Sequence, residues 1–358
     1  MWKTVSLCLK NIARAHLTSS VQFEPVLPTL YVTPLCNLRC TYCQDFGAHR
    51  NHEYTGEVQP LATMQRVIRI IRDACEALYF TGGEPLMRPD IVELLAYARA
   101  QKFIYLAMNT NGLLLHHRPE VVQHLDNLVI SMDGLDEGRD DPGLTKRSKQ
   151  VQQLLDNIAW AASLRKRNPK FVCTVTSVVR PGRVAEARRV MEHCFAMGAD
   201  FSIQHLTVIK EGVGAVRSPR LVADPEFSAF MDEMIKAKRD GLPVSGSYLY
   251  LRTIRDQKPF ACTPTVVPHI DHMGRLDYPC REISGRIKVD VLKAGSLKAA
   301  MAEGARRYGS PPKNCSQCPD RCYVETAALI NRPTTLAQSV TGYLRQIRRR
   351  PELEEETA

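Results

Sequence analysis

Thr29-Leu30-Tyr31-Val32-Thr33-Pro34-Leu35-Cys36-Asn37-Leu38-Arg39-Cys40-Thr41-Tyr42-Cys43 joins an apolar, β-branched run to a loop holding three cysteines spaced CxxxCxxC. Residues 29–35 read as a strand and the cysteines as the loop that follows it. Three thiolates in one short loop can wrap three corners of a [4Fe–4S] cube and leave one iron open to a chelating small molecule. An electron-transfer ferredoxin site supplies four cysteines instead.

Downstream, apolar runs and amphipathic stretches alternate. Residues 61–74, 90–101, 119–125, 148–165 and 183–197 read as helices; 77–81, 103–108, 127–132, 171–178 and 201–206 read as strands. With 29–35 this makes six strand units in order, which implies an α/β fold with a parallel sheet and helices outside. Right-handed crossovers would curl it into a partial (β/α)6 TIM-like barrel. Ligands in such sheets bind beyond the carboxyl ends of the strands. The polar motifs fall there: Gly82-Gly83-Glu84-Pro85, Asn109-Thr110-Asn111-Gly112 and Ser131-Met132-Asp133-Gly134. Glycines admit close backbone approach, Glu84 offers a carboxylate to an ammonium, and Asn-Gly and Asp-Gly also simply form turns. Thr176 and Gln204, on the fifth and sixth strands, are weaker candidates for the same pocket.

Five boundaries follow. Residues 1–28 are an amphipathic N-terminal segment and 29–215 the partial barrel. Residues 216–258 are a helical connection, 259–327 a small Cys-rich C-terminal module, and 328–358 a basic and then acidic tail. The Gly-rich segment 211–220 reads as a loop and 224–239 as a helix. In the module, Cys262 and Cys280 flank a hairpin-like stretch containing Gly274, followed by Cys315-Ser316-Gln317-Cys318 and then Cys322. Five cysteines suit one [4Fe–4S] cluster with a thiol to spare; a zinc ribbon is the alternative.

The chain has 358 residues, twelve cysteines and a formal net charge of +10. No apolar run approaches the ~18 residues of a membrane span, and Lys10 and Arg14 interrupt any secretory signal. Clustered cysteines in a long chain without an export signal fit metal ligation in a reducing cytoplasm better than disulfides. Cys8, Cys75, Cys173 and Cys194 sit singly in apolar segments and read as structural. The basic balance suits an acidic electron donor, an anionic membrane or nucleic acid. With no aromatic-interleaved basic ladder and no zinc-finger spacing, nucleic acid is not expected.

CxxxCxxC after a first strand, with Tyr42 before the last cysteine, resembles the radical S-adenosylmethionine (SAM) superfamily over roughly residues 29–206. In that family the amino and carboxylate groups of SAM bind the open iron, and one electron from the cluster cleaves the sulfonium to a 5′-deoxyadenosyl radical. The resemblance implies that Cys36, Cys40 and Cys43 hold the cluster. It implies that Gly82, Gly83, Glu84 and Pro85 hold the SAM amino group, as the family's GGEP motif does. Asn109 and Asn111 resemble its NTNG turn, and Ser131 and Asp133 its S-x-D-G motif, near the ribose or SAM carboxylate. The C-terminal cysteines resemble auxiliary-cluster modules of the SPASM and, better, shortened twitch type. Cys262, Cys280, Cys315 and Cys318 are then the favoured ligands, with Cys322 either a ligand or a nearby hydrogen-donating thiol. The texture around Cys262, Cys280, Cys315, Cys318 and Cys322-Tyr323-Val324-Glu325 also resembles, locally, the subgroup that extends hopanoid lipids by adenosyl addition.

The leading expectation is therefore a radical SAM enzyme acting on a small molecule or lipid, by hydrogen abstraction or by adenosyl addition with C–C bond formation. Alternatives are a peptide-modifying maturase, disfavoured because only 35 residues precede Cys36, and a radical alcohol dehydrogenase using the auxiliary cluster. The non-enzyme alternative is an iron–sulfur electron carrier. Expected partners are a flavodoxin- or ferredoxin-type electron donor and the substrate, in the cytoplasm. Peripheral membrane contact is a further option, because two basic amphipathic stretches stand at the ends: Trp2, Val5, Leu9 and Ile12, and Leu336, Val340, Tyr343, Leu344 and Ile347.

Overall fold

The structure, a computed structural model, describes residues 2–18, 22–43, 58–135, 148–210, 213–283, 285–312 and 315–332. The amphipathic stretch at 336–347 and the charged runs that end the tail lie outside them. Eleven strands and eleven α-helices follow one another along these residues. The first half runs α1 (Trp2–Leu17), β1 (Thr29–Tyr31), α2 (Leu61–Ala74), β2 (Ala77–Thr81), α3 (Ile91–Ala100), β3 (Tyr105–Thr110), β4 (Asn127–Ser131), α4 (Ser148–Ser163), β5 (Val172–Val179), α5 (Val184–Met197) and β6 (Asp200–His205). The second half runs β7 (Thr207–Lys210), β8 (Gly214–Arg217), α6 (Pro219–Val222), α7 (Pro225–Arg239), α8 (Tyr248–Arg255), β9 (His269–Ile270), β10 (Arg275–Tyr278), β11 (Ile287–Asp290), α9 (Val291–Ala294), α10 (Leu297–Tyr308) and α11 (Arg321–Asn331).

One nine-stranded sheet, in the order β11-β10-β9-β1-β2-β3-β4-β5-β6, carries the molecule. Strands β1 to β6 are parallel in sequence order, as the alternating pattern predicts. Their buried outward residues, such as Leu30, Phe80, Leu106, Ile130 and Val175, join the core with Met64, Val67, Ile68 and Ile71 of α2 and Leu94 and Leu95 of α3. Alternate residues, Tyr31, Tyr79, Tyr105, Asn109, Asn127, Ser131, Thr176 and Gln204, are half-buried on the opposite, concave face.

Four local expectations are corrected or refined. The first strand is short, because beyond Tyr31 the chain leaves sheet register to pair with the glycine turn after β2. Residues 211–220 are not simply a loop: β7 and β8 form an antiparallel hairpin in which Lys210 faces Gly214. The glycine, at φ +109°, supports the tight return, and the β-branched runs on either side supply strand propensity. Residues 119–124 do form the expected short helix, in 3-10 geometry. On α1, Leu7, Cys8 and Asn11 are buried, whereas Val5 and Leu9 of the expected apolar face are 43% and 56% exposed. Asn11 accounts for this by exchanging hydrogen bonds with the backbone of Glu24 at 2.7 and 2.9 Å.

The cysteine-rich segment is continuous with the barrel sheet. Its strand β9 lies parallel to β1, with Thr29 opposite His269, and β10 and β11 return antiparallel beside it. Helix α10 clamps this end. Gly304 meets the ring of Tyr278, where an added Cβ would come within 2.7 Å of Cδ2. Gly304→Ala should therefore lower stability by about 1–2 kcal/mol, overpacking outweighing the gain in helix propensity. A urea midpoint shift at constant m checks this; an unchanged midpoint would show that the contact has room to relax.

Candidate functional site

The cysteine loop is attached to the rim of the sheet backbone against backbone. Gly83 N–H donates to the Thr33 carbonyl at 2.8 Å and Glu84 N–H to the Leu35 carbonyl at 2.7 Å. A Cβ on Gly82 would stand 2.6 Å from the Thr33 oxygen, and one on Gly83 would overlap the Leu35 carbonyl. Both glycines are thus required by the approach of residues 33–35, which lead straight into Cys36. Arg88, fully buried, fixes the same segment from below. It donates to the Val32 carbonyl at 2.9 Å and the Gln59 carbonyl at 3.0 Å, and pairs with Asp90 at 2.6 Å.

Glu84 is fully buried. Its Oε1 accepts from Leu86 N–H at 2.9 Å and from the Thr110 hydroxyl at 2.7 Å, and its Oε2 accepts from Asn111 N–H at 2.7 Å. In this structure the carboxylate braces the ends of β2 and β3. Pro85, also buried, opens the short 3-10 turn that Glu84 caps. Asn111 then reaches the cysteine loop, donating to Asn37 Oδ1 at 2.7 Å. Gly112 turns the chain at φ +75° beneath Leu154 and Ile130.

Asp133 anchors the loop at its far end. Its Oδ1 accepts from Val178 N–H at 2.8 Å, and the Tyr42 hydroxyl donates a short hydrogen bond to its Oδ2. Burial, and then the Asp133 charge, push the Tyr42 phenol well above its ordinary range, so it stays a donor. The Arg180 guanidinium covers the Tyr42 ring at 5.6 Å. Asn109 and Ser131 meet side by side at 3.4 Å. Ser131 and Thr176 are register neighbours on β4 and β5. Cys36, Cys40 and Cys43 are all half-buried, joined by a turn from Cys43 N–H to the Cys40 carbonyl at 3.1 Å. Burial, together with the negative neighbours Glu84, Cys40 and Cys43, raises the Cys36 thiol to about 11. A coordinated cation would reverse that tendency.

Gln204 has a different neighbourhood. Its Nε2 donates to the Pro319 carbonyl at 3.2 Å and its Oε1 accepts from Arg321 N–H at 3.3 Å, binding β6 to the second cysteine group. There Cys262, Cys280, Cys315 and Cys318 line one cavity of about 290 Å³, with Glu282, Tyr308 and Tyr323. The Cys262 thiol donates to Cys315, which raises the first and lowers the second. Burial pushes Cys280 up to about 12. Cys322 is not in the lining. It sits one helical turn on, beside Asp320 and Arg321, with its thiol raised by burial. Among the described residues no three His, Cys, Asp or Glu side chains close on a single ion.

Motif reading missed Asn37, Arg88 and Arg180 around the first site and Arg217 and Arg321 around the second. Arg180 carries a usable signal, since it directly follows β5 at the same rim as the other motifs. The rest are identified only by tertiary contact.

A parallel α/β partial barrel with a three-cysteine loop at its carboxyl rim defines the class. Residues 30–194, just under half of the chain, match the model of the radical SAM superfamily. The GTP 3′,8-cyclase of Geobacter sulfurreducens is 34% identical over 168 residues, 45% of this chain and 50% of that protein. The enzyme of the same name from Chlorobaculum tepidum is 33% identical over 138 residues, 37% and 41% of the two chains. This chain thus spans about half or less of the curated relatives it matches. Among solved structures, Streptococcus suis SuiB bound to its precursor peptide SuiA superposes with a TM-score of 0.62 at 17% identity, over 90% of this chain and 75% of that one. The anSMEcpe structure with bound AdoMet gives 0.56 at 15% identity, over 88% and 96%. These likenesses establish the fold.

Glu84→Gln replaces an acceptor of three hydrogen bonds with a group that presents a donor to one of them. It should cost about 1–3 kcal/mol and loosen the cysteine loop, seen as a lower unfolding midpoint and weaker iron retention. Full retention of both would remove Glu84 as a brace. Buried His205, His269 and His272 are lowered to about 4, about 3 and about 4, with burial the first cause in each. Folded values below the unfolded ~6.5 mean the unfolded chain takes up protons first. Stability should fall by about 1.4 kcal/mol per pH unit for each histidine as pH drops from ~6.5 towards their folded values. His269→Gln should flatten that slope in unfolding titrations between pH 7 and 5.

Proposed function

We propose that the chain is a radical SAM enzyme holding two iron–sulfur clusters, one at Cys36, Cys40 and Cys43 and one at Cys262, Cys280, Cys315 and Cys318. The observation that carries the reading is the fastening of the three-cysteine loop to three strand ends, through Gly83, Asn111 and Asp133, with Asp133 itself held by Val178 of β5. A one-metal redox or carrier site has no need for that rim. The donor set fits: three half-buried thiols lie within eight residues, leaving the fourth iron of a cube for SAM. When bound, the cluster supplies the electron that cleaves SAM.

The chain's own residues position and shield. Glu84 and Asp133 keep the loop in register, while Tyr42, stacked under Arg180, closes one side of it. Asn109, Ser131 and Thr176 offer the polar face for ribose or carboxylate groups. Glu84, committed to three protein donors, acts on the SAM amino group through the backbone it fixes.

At the second group, four cysteines ring a 290 Å³ cavity, whereas zinc would draw four sulfurs to ~2.3 Å from one point. This favours a polynuclear cluster, with Cys322 outside the ligand set. The substrate is a small molecule or lipid, modified by hydrogen abstraction or adenosyl addition as in the hopanoid-extending enzymes. A second reading, cyclisation of a nucleotide, is favoured by the named cyclase relatives, whose likeness spans half or less of their length. A flavodoxin- or ferredoxin-type donor would meet the basic surface. The exposed Val5 and Leu9 of α1 support peripheral membrane contact.

Replacing Cys36, Cys40 and Cys43 by Ala should remove about four irons of about eight, abolish 5′-deoxyadenosine formation from SAM and dithionite, and leave the second cluster's spectrum intact. Unchanged iron content would overturn the first assignment, and a wild-type total near four would overturn the second.

A further inference from the structure

Two buried arginines near the two sites, Arg88 and Arg281, and the half-buried Arg321 have carboxylate partners. Arg88 has Asp90 at 2.6 Å, Arg281 has Asp277 at 3.2 Å and Arg321 has Glu325 at 3.7 Å. Arg217 has none. It is 5% exposed, and its one hydrogen bond runs from Nη2 to the Lys258 carbonyl at 2.7 Å. Its Nε and Nη1 are buried without a partner.

A guanidinium cannot discharge itself, so a buried one without an anion costs several kcal/mol. The neighbouring His205 does not provide the charge. Its Nδ1 engages the Leu206 carbonyl at 2.9 Å, and burial holds the ring neutral. Tyr250 is likewise a neutral phenol, donating to the Ile203 carbonyl at 3.0 Å. What does lie within electrostatic reach is Cys318, whose charge would favour the guanidinium.

Arg217 stands just outside the cavity lining, on the strand that borders it. Along β8, side chains alternate, so Ala215 and Arg217 share a face, and Ala215 lines the cysteine cavity. Ala215 N–H donates to the Glu282 carbonyl at 2.7 Å, and Gly214 bridges to Ile283, so the strand is tied to the segment just after Cys280.

We propose that Arg217 is the built-in counter-charge of the second iron–sulfur centre, a positioning residue that favours retention of the anionic cluster and raises its reduction potential. The inference rests on the reading of Cys262, Cys280, Cys315 and Cys318 as ligands. A [4Fe–4S] core with four thiolates is a dianion when oxidised and a trianion after one electron, so a fixed cation stabilises the reduced form more. Reduction here adds one electron from the external donor and breaks no bond.

The test uses the full chain with Cys36, Cys40 and Cys43 replaced by Ala, so that only the second centre is observed. Arg217→Met removes the charge, Arg217→Gln removes it while keeping a donor for Lys258, and Arg217→Lys keeps it. Potentiometric titration followed by electron paramagnetic resonance should show a tenfold or greater loss in the reduction constant, about 59 mV for one electron, for Met and Gln but not for Lys.

Thermal unfolding supplies a second readout. Met and Gln should lower the midpoint of the iron-loaded chain yet leave or raise that of the chelator-stripped chain, where the charge is uncompensated. Equal destabilisation of both forms, or an unchanged potential with the cluster loaded, would overturn the role. Absence of any second centre in the parent chain would instead overturn the reading beneath it.

Discussion

The approach of two backbones, with no side chain between them, governs the first site. Gly82 and Gly83 allow residues 33–35 to lie on the turn after β2 and exchange hydrogen bonds there. Any Cβ would force the chains apart and release the loop that begins at Cys36. The carboxylates of Glu84 and Asp133 then act on an already seated loop. Both are buried, and both are satisfied by N–H and O–H donors from neighbouring strand ends. Each therefore carries a desolvation cost offset only when the rim is assembled, which makes rim and loop one cooperative unit.

The two cysteine groups differ in access. The first is half-buried at the rim, which suits the proposed centre with one open iron. In the second, Cys280 and Cys318 are buried with Tyr323 and Val266, while Cys262 and Cys315 are half-buried. Burial of those two thiols, Cys280 and Cys318, lowers the dielectric around them, so nearby fixed charges weigh more there than at the rim.

Much of the barrel was legible because its signal is local. Apolar runs of strand length separated by amphipathic helices fix order and direction, and the motifs at 82–85, 109–112 and 131–134 all reach the carboxyl rim. What was not legible depends on distant partners. The early end of β1 follows from pairing with the glycine turn. The 207–217 hairpin was hidden by its glycine. β9 is two residues long and is a strand only because β1 lies beside it. The contact of Gln204, a weaker candidate for the first pocket, with the backbone at 319–321 was not visible in the sequence. The uncompensated charge of Arg217 is invisible in composition, since burial creates it.

The pairing of Thr29 with His269 also sets an order of assembly. As the chain emerges from the ribosome, β1 can join β2 almost at once, but its other edge has no neighbour until some 240 residues later. For that interval the strand leading to Cys36 is an open edge, the kind of surface that recruits another chain. Pairing of β9 with β1 caps that edge, and β10, antiparallel to β9, leads directly into Cys280. The C-terminal segment is thus both a second cysteine site and the guard of the first strand.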